Sequence, residues 1–166
     1  MPTESPPTYT LTDATPAHVA AIYAMVCELA QYEKLEHLVS GDAAGLAAEL
    51  FGEHPVIEAL VALVDGDAQG FALYFHNYST FLARRGLYLE DLYVRPAFRR
   101  RGIGRALLLS LARTAQARGC GRFEWSVLDW NAPAIAFYER LGATVMPEWR
   151  IVRVTGDALR TMAALR

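Results

Sequence analysis

The densest cluster of chemically capable residues in the chain is Arg99-Arg100-Arg101-Gly102-Ile103-Gly104-Arg105, four arginines and two glycines in seven positions. It falls between a strand pattern and a helix pattern, a place where backbone amides at a helix N-terminus converge on phosphate oxygens and glycines let that backbone approach closely. The third glycine of a dinucleotide fingerprint and the Gly-Lys-Ser/Thr of a P-loop are both missing, which disfavours those two nucleotide folds. A solvated basic loop or a nucleic-acid patch would also place arginines here. Against the second stand an isoelectric point near 6.1 and the lack of aromatics interleaved in the run. No nucleic-acid partner is expected.

Other reactive side chains are sparse. The two cysteines, Cys27 and Cys120, and the four histidines, His18, His37, His54 and His76, are scattered without paired ligand spacing, so neither a metal site nor a disulfide framework is expected. The net charge of −2 hides a polarity along the chain. Met1 to Asp91 carries 13 acidic and 3 basic residues, a balance of −10, whereas Leu92 to Arg166 carries 13 arginines against 5 acids, a balance of +8. The two halves suit partners of opposite charge.

The elements that must position these residues follow from length and patterning. At 166 residues and 53% apolar content the chain fits one compact domain with a buried core, not a disordered or collagen-like polymer. Residues 1–7, with Pro2, Pro6 and Pro7, are expected to be disordered, and 8–166 to form the single domain. The longest apolar run, Val19 to Cys27, is too short to span a bilayer, and the N-terminus shows no signal segment, so a cytoplasmic protein without a membrane partner is expected.

A first strand is expected at Thr8 to Leu11, then a helix opened by Thr15 and Pro16 and running to about Glu33, and a second helix near Asp42 to Phe51. Strands at about Val56 to Val64 and Gly70 to His76 flank an Asp65-Gly66-Asp67 turn. Leu87 to Val94 reads as the next strand, closed by Arg95-Pro96. Helical spacing runs from Ile103 to Arg118 with Gly119 just beyond it. A strand at Arg122 to Leu128 precedes a helix capped by Asn131, with Pro133 in its first turn and Gly142 after its end. Strands near Ala143 to Val145 and Trp149 to Val154 are expected to finish the sheet. The order is α/β, a mixed and mostly antiparallel central sheet with helices on both faces.

The segment Arg99-x-x-Gly102-x-Gly104 resembles the Arg/Gln-x-x-Gly-x-Gly/Ala pyrophosphate loop of the GNAT superfamily of acetyl-CoA-dependent N-acetyltransferases. The preceding strand, Asn131 to Tyr138 and Leu141-Gly142-Ala143 also look like superfamily elements. More narrowly the chain is similar to the spermidine/spermine (diamine) and thialysine acetyltransferase group, through Glu28-Leu29-Ala30-Gln31-Tyr32-Glu33, Phe51-Gly52-Glu53-His54-Pro55, Leu87-Tyr88-Leu89-Glu90-Asp91, Trp130-Asn131-x-Pro133, Phe137-Tyr138 and Trp149-Arg150. The resemblance implies a GNAT-type sheet and acetyl-CoA as co-substrate. Leu92, Tyr93 and Val94 would hold the pantetheine arm, and Arg99, Arg100, Arg101, Gly102, Ile103, Gly104 and Arg105 the pyrophosphate. Asn131, Ala132, Pro133, Ala134 and Tyr138 would add further cofactor contacts. A homodimer with Trp149 to Val154 at its interface is also implied. The connection between Gly142 and Trp149 and the hairpin at Asp65 to Asp67 are shorter than in the group, and both bear on substrate choice.

An acceptor amine is protonated at neutral pH, so its enzyme needs carboxylates around it and one group to take its proton. Alternation along Leu87 to Val94 places Glu90 on one face with Tyr88 and Leu92, where desolvation would push its carboxyl toward a useful base. Tyr32 and Glu33, at the end of the first helix, resemble the group's substrate-side pair. Glu124 and Ser126 share a strand face that can line the acceptor channel, and Glu148 is a further anchor for a distal amine. Tyr138 lies seven positions after Asn131, about two turns and roughly 10 Å along one helix face. A phenol there can protonate the departing thiolate, and the family's catalytic tyrosine falls at this position. Neither cysteine lies in a cofactor motif, which favours direct transfer over a covalent intermediate. The expected activity is acetylation of a primary amine on a small cationic substrate such as a diamine or polyamine. The alternatives are thialysine or a lysine-like amino acid, a protein amine, and a non-catalytic acetyl-CoA-binding module.

Overall fold

The computed structural model describes residues 8–166, and the expectation for residues 1–7 lies outside them. The chain divides into two compact units, one ending at Ser126 and one comprising Val127–Arg166.

In the first unit five strands lie in sequence order: β1 (Tyr9–Asp13), β2 (Glu58–Val64), β3 (Asp67–Ser79), β4 (Arg84–Val94) and β5 (Phe123–Trp125). The first four pair antiparallel and β5 joins β4 in parallel. The mixed, mostly antiparallel α/β sheet is therefore as expected, with β3 and β4 extending beyond the anticipated ends and β5 much shorter. The sequence of β2, Glu-Ala-Leu-Val-Ala-Leu-Val, is a near-continuous apolar run because both of its faces are covered.

On one face lie α1 (Val19–Tyr32), which follows a single 3-10 turn over Pro16–His18, and α2 (Ala43–Phe51), whose N-cap Asp42 accepts from the Gly45 amide at 2.7 Å. Their Ile22, Met25 and Leu50 pack on Ala59, Val61, Phe71, Leu73 and Tyr93. On the opposite face lies α3 (Ile103–Ala117), which buries Ile103, Leu107, Leu108, Leu111 and Ala115. Gly70 marks this second layer: a Cβ there would meet Val94 Cγ2 at 3.2 Å and Ile103 Cγ2 at 3.4 Å.

The expected alternation of β4 is corrected by its register. Leu73 pairs with Asp91 and Tyr74 with Leu89, so Glu90 is the extra residue of a β-bulge. The bulge resets the parity of the strand. Tyr88, Asp91 and Tyr93 face the α1 layer, whereas Leu87, Leu89, Leu92 and Val94 face α3, and Glu90 no longer shares a face with Leu92.

The second unit holds α4 (Ala132–Arg140) and α5 (Gly156–Ala163). Asn131 caps α4 as expected, accepting from the Ala134 amide at 3.4 Å, and Gly142 sits past its end at φ +92°. The strands expected near Ala143 to Val145 and Trp149 to Val154 are absent: among the described residues no strand ladder includes either segment. Alternating apolar residues give a segment the capacity to pair, but a strand also needs a neighbour for its amides and a cover for its face. Here Trp149, Ile151 and Val152 are exposed. Helix α5 was not anticipated, although Thr155 at its N-cap, Asp157 in its first turn and the Asp157–Arg160 pair are ordinary helix signals.

Candidate functional site

The seven-residue basic segment forms the turn into α3. Arg100 takes φ +62° and Gly102, the N-cap of α3, takes φ +81°, a left-handed conformation that glycine adopts without steric cost. The first helical bond of α3 runs from the Ala106 amide to the Gly102 carbonyl at 2.9 Å. The amides of Ile103, Gly104 and Arg105 thus precede the helical ladder, and a glycine N-cap offers no side chain to cover them. Gly104 is open: a Cβ there would meet only Val94 Cγ2, at 3.8 Å. Amides free of caps, positive helix dipole and a Cβ-free approach form an anion cradle.

The arginines of this turn are not equivalent. Arg100 and Arg105 are exposed, and the Arg101 guanidinium lies 5.4 Å from the Phe98 ring. Arg99 turns toward α1. Its Nε donates to the Val94 carbonyl at 2.7 Å, and its guanidinium lies 5.2 Å from the Tyr32 ring and 5.3 Å from the Tyr93 ring. The first residue of the loop motif therefore meets an aromatic shelf on the α1 side.

Next to the cradle the edge of β4 is open. Strand β5 pairs with β4 only from Leu87 to Leu89, so among the described residues no strand continues along Asp91, Leu92, Tyr93 and Val94. Those backbone groups can hydrogen-bond an extended ligand as a further strand would. An arm bearing amides, tethered to a phosphate in the cradle, matches that edge.

The carboxylates gather at the bulge. Asp91 is pushed up to about 7 by burial first, then by the charges of Glu90 and Glu33 beside it. Glu33, which caps the C-terminus of α1, is raised by burial. Glu90 itself is exposed, so the desolvation expected at that position falls on its neighbour. Sequence reading missed Asp91; the Glu-Asp pair was visible, but the bulge that turns the second acid inward was not. Among the described residues no three His, Cys, Asp or Glu side chains are placed to hold a metal.

The other anticipated residues divide. Tyr32, half-exposed, lies next to Glu33 and against Arg99. Glu124 accepts from Asn77 Nδ2 at 2.7 Å and pairs with Arg122 Nε at 3.0 Å, so its charge is already partnered. Ser126 Oγ is 2.9 Å from the Tyr88 hydroxyl. In the second unit, Tyr138 is half-buried on α4 with its ring 5.3 Å from that of Phe137, and Ala132, Pro133 and Ala134 form the first turn behind Asn131. Glu148 is exposed in the segment that lacks its expected strand.

Comparison with known proteins bears on the fold and the family. Residues 22–143 match the model of the acetyltransferase (GNAT) family. The chain is 35% identical over 197 residues to an L-ornithine N5-acetyltransferase of Arabidopsis thaliana, covering 92% of this chain and 86% of that protein. It is 40% identical over 153 residues to a thialysine N-epsilon-acetyltransferase of Sus scrofa, covering 86% of this chain and 89% of the relative. In structure it is similar to an integron cassette protein from the mobile metagenome of V. cholerae, with a TM-score of 0.79 and 25% identity over 95% of this chain and 98% of the other. With its residues 22–143 matching the family's model and these relatives covered over most of their length, the chain belongs to the GNAT family, an N-acetyltransferase whose acetyl donor is acetyl-CoA.

Proposed function

We propose that the protein acetylates the primary amine of a small cationic substrate by direct transfer from acetyl-CoA. The observation that carries this reading is the pair Glu90 and Asp91 at the bulge of β4, with Glu33 at the C-cap of α1 close enough to act on Asp91, on the strand whose free edge continues to Val94. Negative charge there attracts an ammonium group. Diamines and polyamines satisfy that demand. A lysine-like amino acid does so too, and relatives named for L-ornithine and for thialysine keep it as the alternative.

In this reading Glu90, directly or through a water, takes the amine's proton before attack, and Tyr32, Glu33 and Asp91 hold the substrate. The amine adds to the thioester carbonyl and the tetrahedral oxyanion accepts from a strand amide near Leu92 to Val94. The C–S bond then breaks, and the Tyr138 hydroxyl gives its proton to the departing thiolate. Support for Tyr138 and for Asn131 to Ala134 as cofactor contacts comes from the family resemblance of α4. Glu124 on β5 and Ser126 just past its end border the substrate in this reading, and Glu148 is kept for a distal amine. A cytoplasmic location fits the two free cysteines, Cys27 and Cys120, and the donor.

The test is an acetylation assay read by thiol release over putrescine, spermidine, spermine, L-ornithine, thialysine, L-lysine and a lysine peptide. Turnover of one of the small cations well above the peptide is the expected result. Preference for a neutral or anionic acceptor, or for the peptide, overturns the reading.

A further inference from the structure

Two arginines of the connection between β4 and α3 reach back to one face of α1. Arg95 Nε donates to Glu28 Oε1 at 3.1 Å and Oε2 at 3.3 Å, while its Nη1 donates to the Ala68 carbonyl at 3.3 Å and to Gln69 Oε1 at 3.2 Å. Four residues further along, Arg99 lies over Tyr32, itself four residues past Glu28. Residues four apart on a helix are neighbours on one face, so the two contacts grip a single stripe at the C-terminal end of α1. That end has no basic residue in its last turn. The cations that complement its dipole come from the cofactor turn instead.

The grip is anchored on the sheet side. Arg99 Nε is fixed by the Val94 carbonyl, its guanidinium shares the Tyr93 ring, and that ring is 6% exposed in the core. Glu28, Tyr32, Tyr93 and Arg99 line an open cleft of about 370 Å³ between the helix end and the turn. At one end of this bridge lies the backbone that receives the cofactor phosphates. At the other lies the helix terminus that carries Tyr32 and Glu33.

We propose that Arg95 and Arg99 are positioning residues that transmit occupancy of the cofactor turn to the end of α1, so that acetyl-CoA binding tightens the wall against which the amine is held. The proposal rests on the reading above for what that wall binds. Arg99 acts here through Tyr32, and not by its guanidinium on the pyrophosphate. Fixing the backbone from Arg99 onward holds one end of the bridge, which lowers the ordering cost of the other end, and by linkage an ordered helix end strengthens cofactor binding by the same factor.

Hydrogen exchange on the full chain with and without CoA tests this, each protein being loaded at ten times its own calorimetric Kd, at saturations that make the comparison independent of affinity. In the wild type, CoA should slow exchange over residues 28–35 by about fivefold. In Arg99→Gln that increment should vanish although CoA is bound, and in Arg99→Lys, which keeps the cation but not the planar guanidinium, it should return in part. Tyr32→Leu, which removes the ring from the other side, should also lose it. Exchange in the buried strands around Val61 and Phe71 reports that each variant is folded; if Arg99→Gln fails that check, Tyr32→Leu decides. A purely structural role would raise exchange of the free protein and leave the CoA-induced increment intact, and that result overturns the proposal. So does a loaded wild type without slowing at 28–35. Failure of the wild type to bind CoA at all would instead remove the acetyl-CoA cradle, and the coupling with it.

Discussion

At the scale of single residues, Asp91 has the most to reveal through pH. Its carboxyl is pushed up to about 7 in the fold, against roughly 3.9 in an unfolded chain, so the folded state holds that proton more tightly. The stabilisation is complete below about pH 4 and is lost as pH rises through about 7. Asp91→Asn should therefore raise the unfolding free energy more at pH 8 than at pH 4.5, by on the order of a few kcal/mol in denaturant titrations at the two pH values. The same ionisation supplies charge for the amine. KM for a cationic acceptor should fall between pH 6 and 8 in the wild type, and Asp91→Asn should flatten that slope while Glu90→Gln keeps it. Tyr138→Phe keeps the ring and deletes the proton. A thiol titrates near ~8.5 and a phenol near ~10, so the transfer helps only as charge develops on sulfur, and such acid catalysis is typically worth ~10² to 10⁴ in rate. The expected result is a kcat reduced by about 10²-fold or more with CoA affinity held within a few-fold; a near-normal kcat in an assay limited by chemistry would leave Tyr138 only a packing role. Tyr138 and Glu90 were legible as residue types. Asp91 was not, because one extra residue in a strand changes no composition and no spacing, yet reverses which acid is desolvated.

At the scale of elements, what reads clearly is what local chemistry dictates. The start of α3 at Ile103 was placed by helical spacing after a glycine-bearing turn, and Gly102 takes the left-handed conformation as its N-cap. Asn131 and Asp42 cap their helices for the same kind of local reason. The C-terminal strands failed because pairing depends on a neighbour that no segment encodes in itself. The bridge from Arg95 and Arg99 to Glu28 and Tyr32 was equally unreadable, joining positions 67 apart in the first pair. The cradle gives a prediction at this scale. The space at Gly104 is open enough that a valine's Cβ meets Val94 Cγ2 at an ordinary 3.8 Å, so Gly104→Val should fold with little loss of stability while its methyls occupy the approach to the amides. Acetyl-CoA affinity, measured by calorimetry, should fall about tenfold or more; an unchanged affinity in the folded variant would take this turn out of the cofactor site.

At the scale of the whole molecule, the acidic first part and the arginine-rich second part are properties of the sequence that no single element explains, and they suit a reaction joining a cationic acceptor to an anionic donor. Among the described residues no helix is long and apolar enough to cross a membrane. The remaining question at this scale is what covers the apolar row at Trp149, Ile151, Val152 and Val154, which are 74, 68, 91 and 39% exposed. We propose that a second copy of the chain does, as a homodimer. Pairing of the two segments as strands would also give their amides the ladder they lack within one chain, at an edge that is otherwise an invitation to aggregation. Light scattering at low micromolar concentration should therefore report about twice the chain mass of 18.4 kDa. Val152→Asp, which places a charge where the exposed row must be desolvated, should return the mass to that of one chain without altering the melting of the first unit's buried sheet. A wild type that scatters as a single chain at that concentration would show that the row is not an interface between copies.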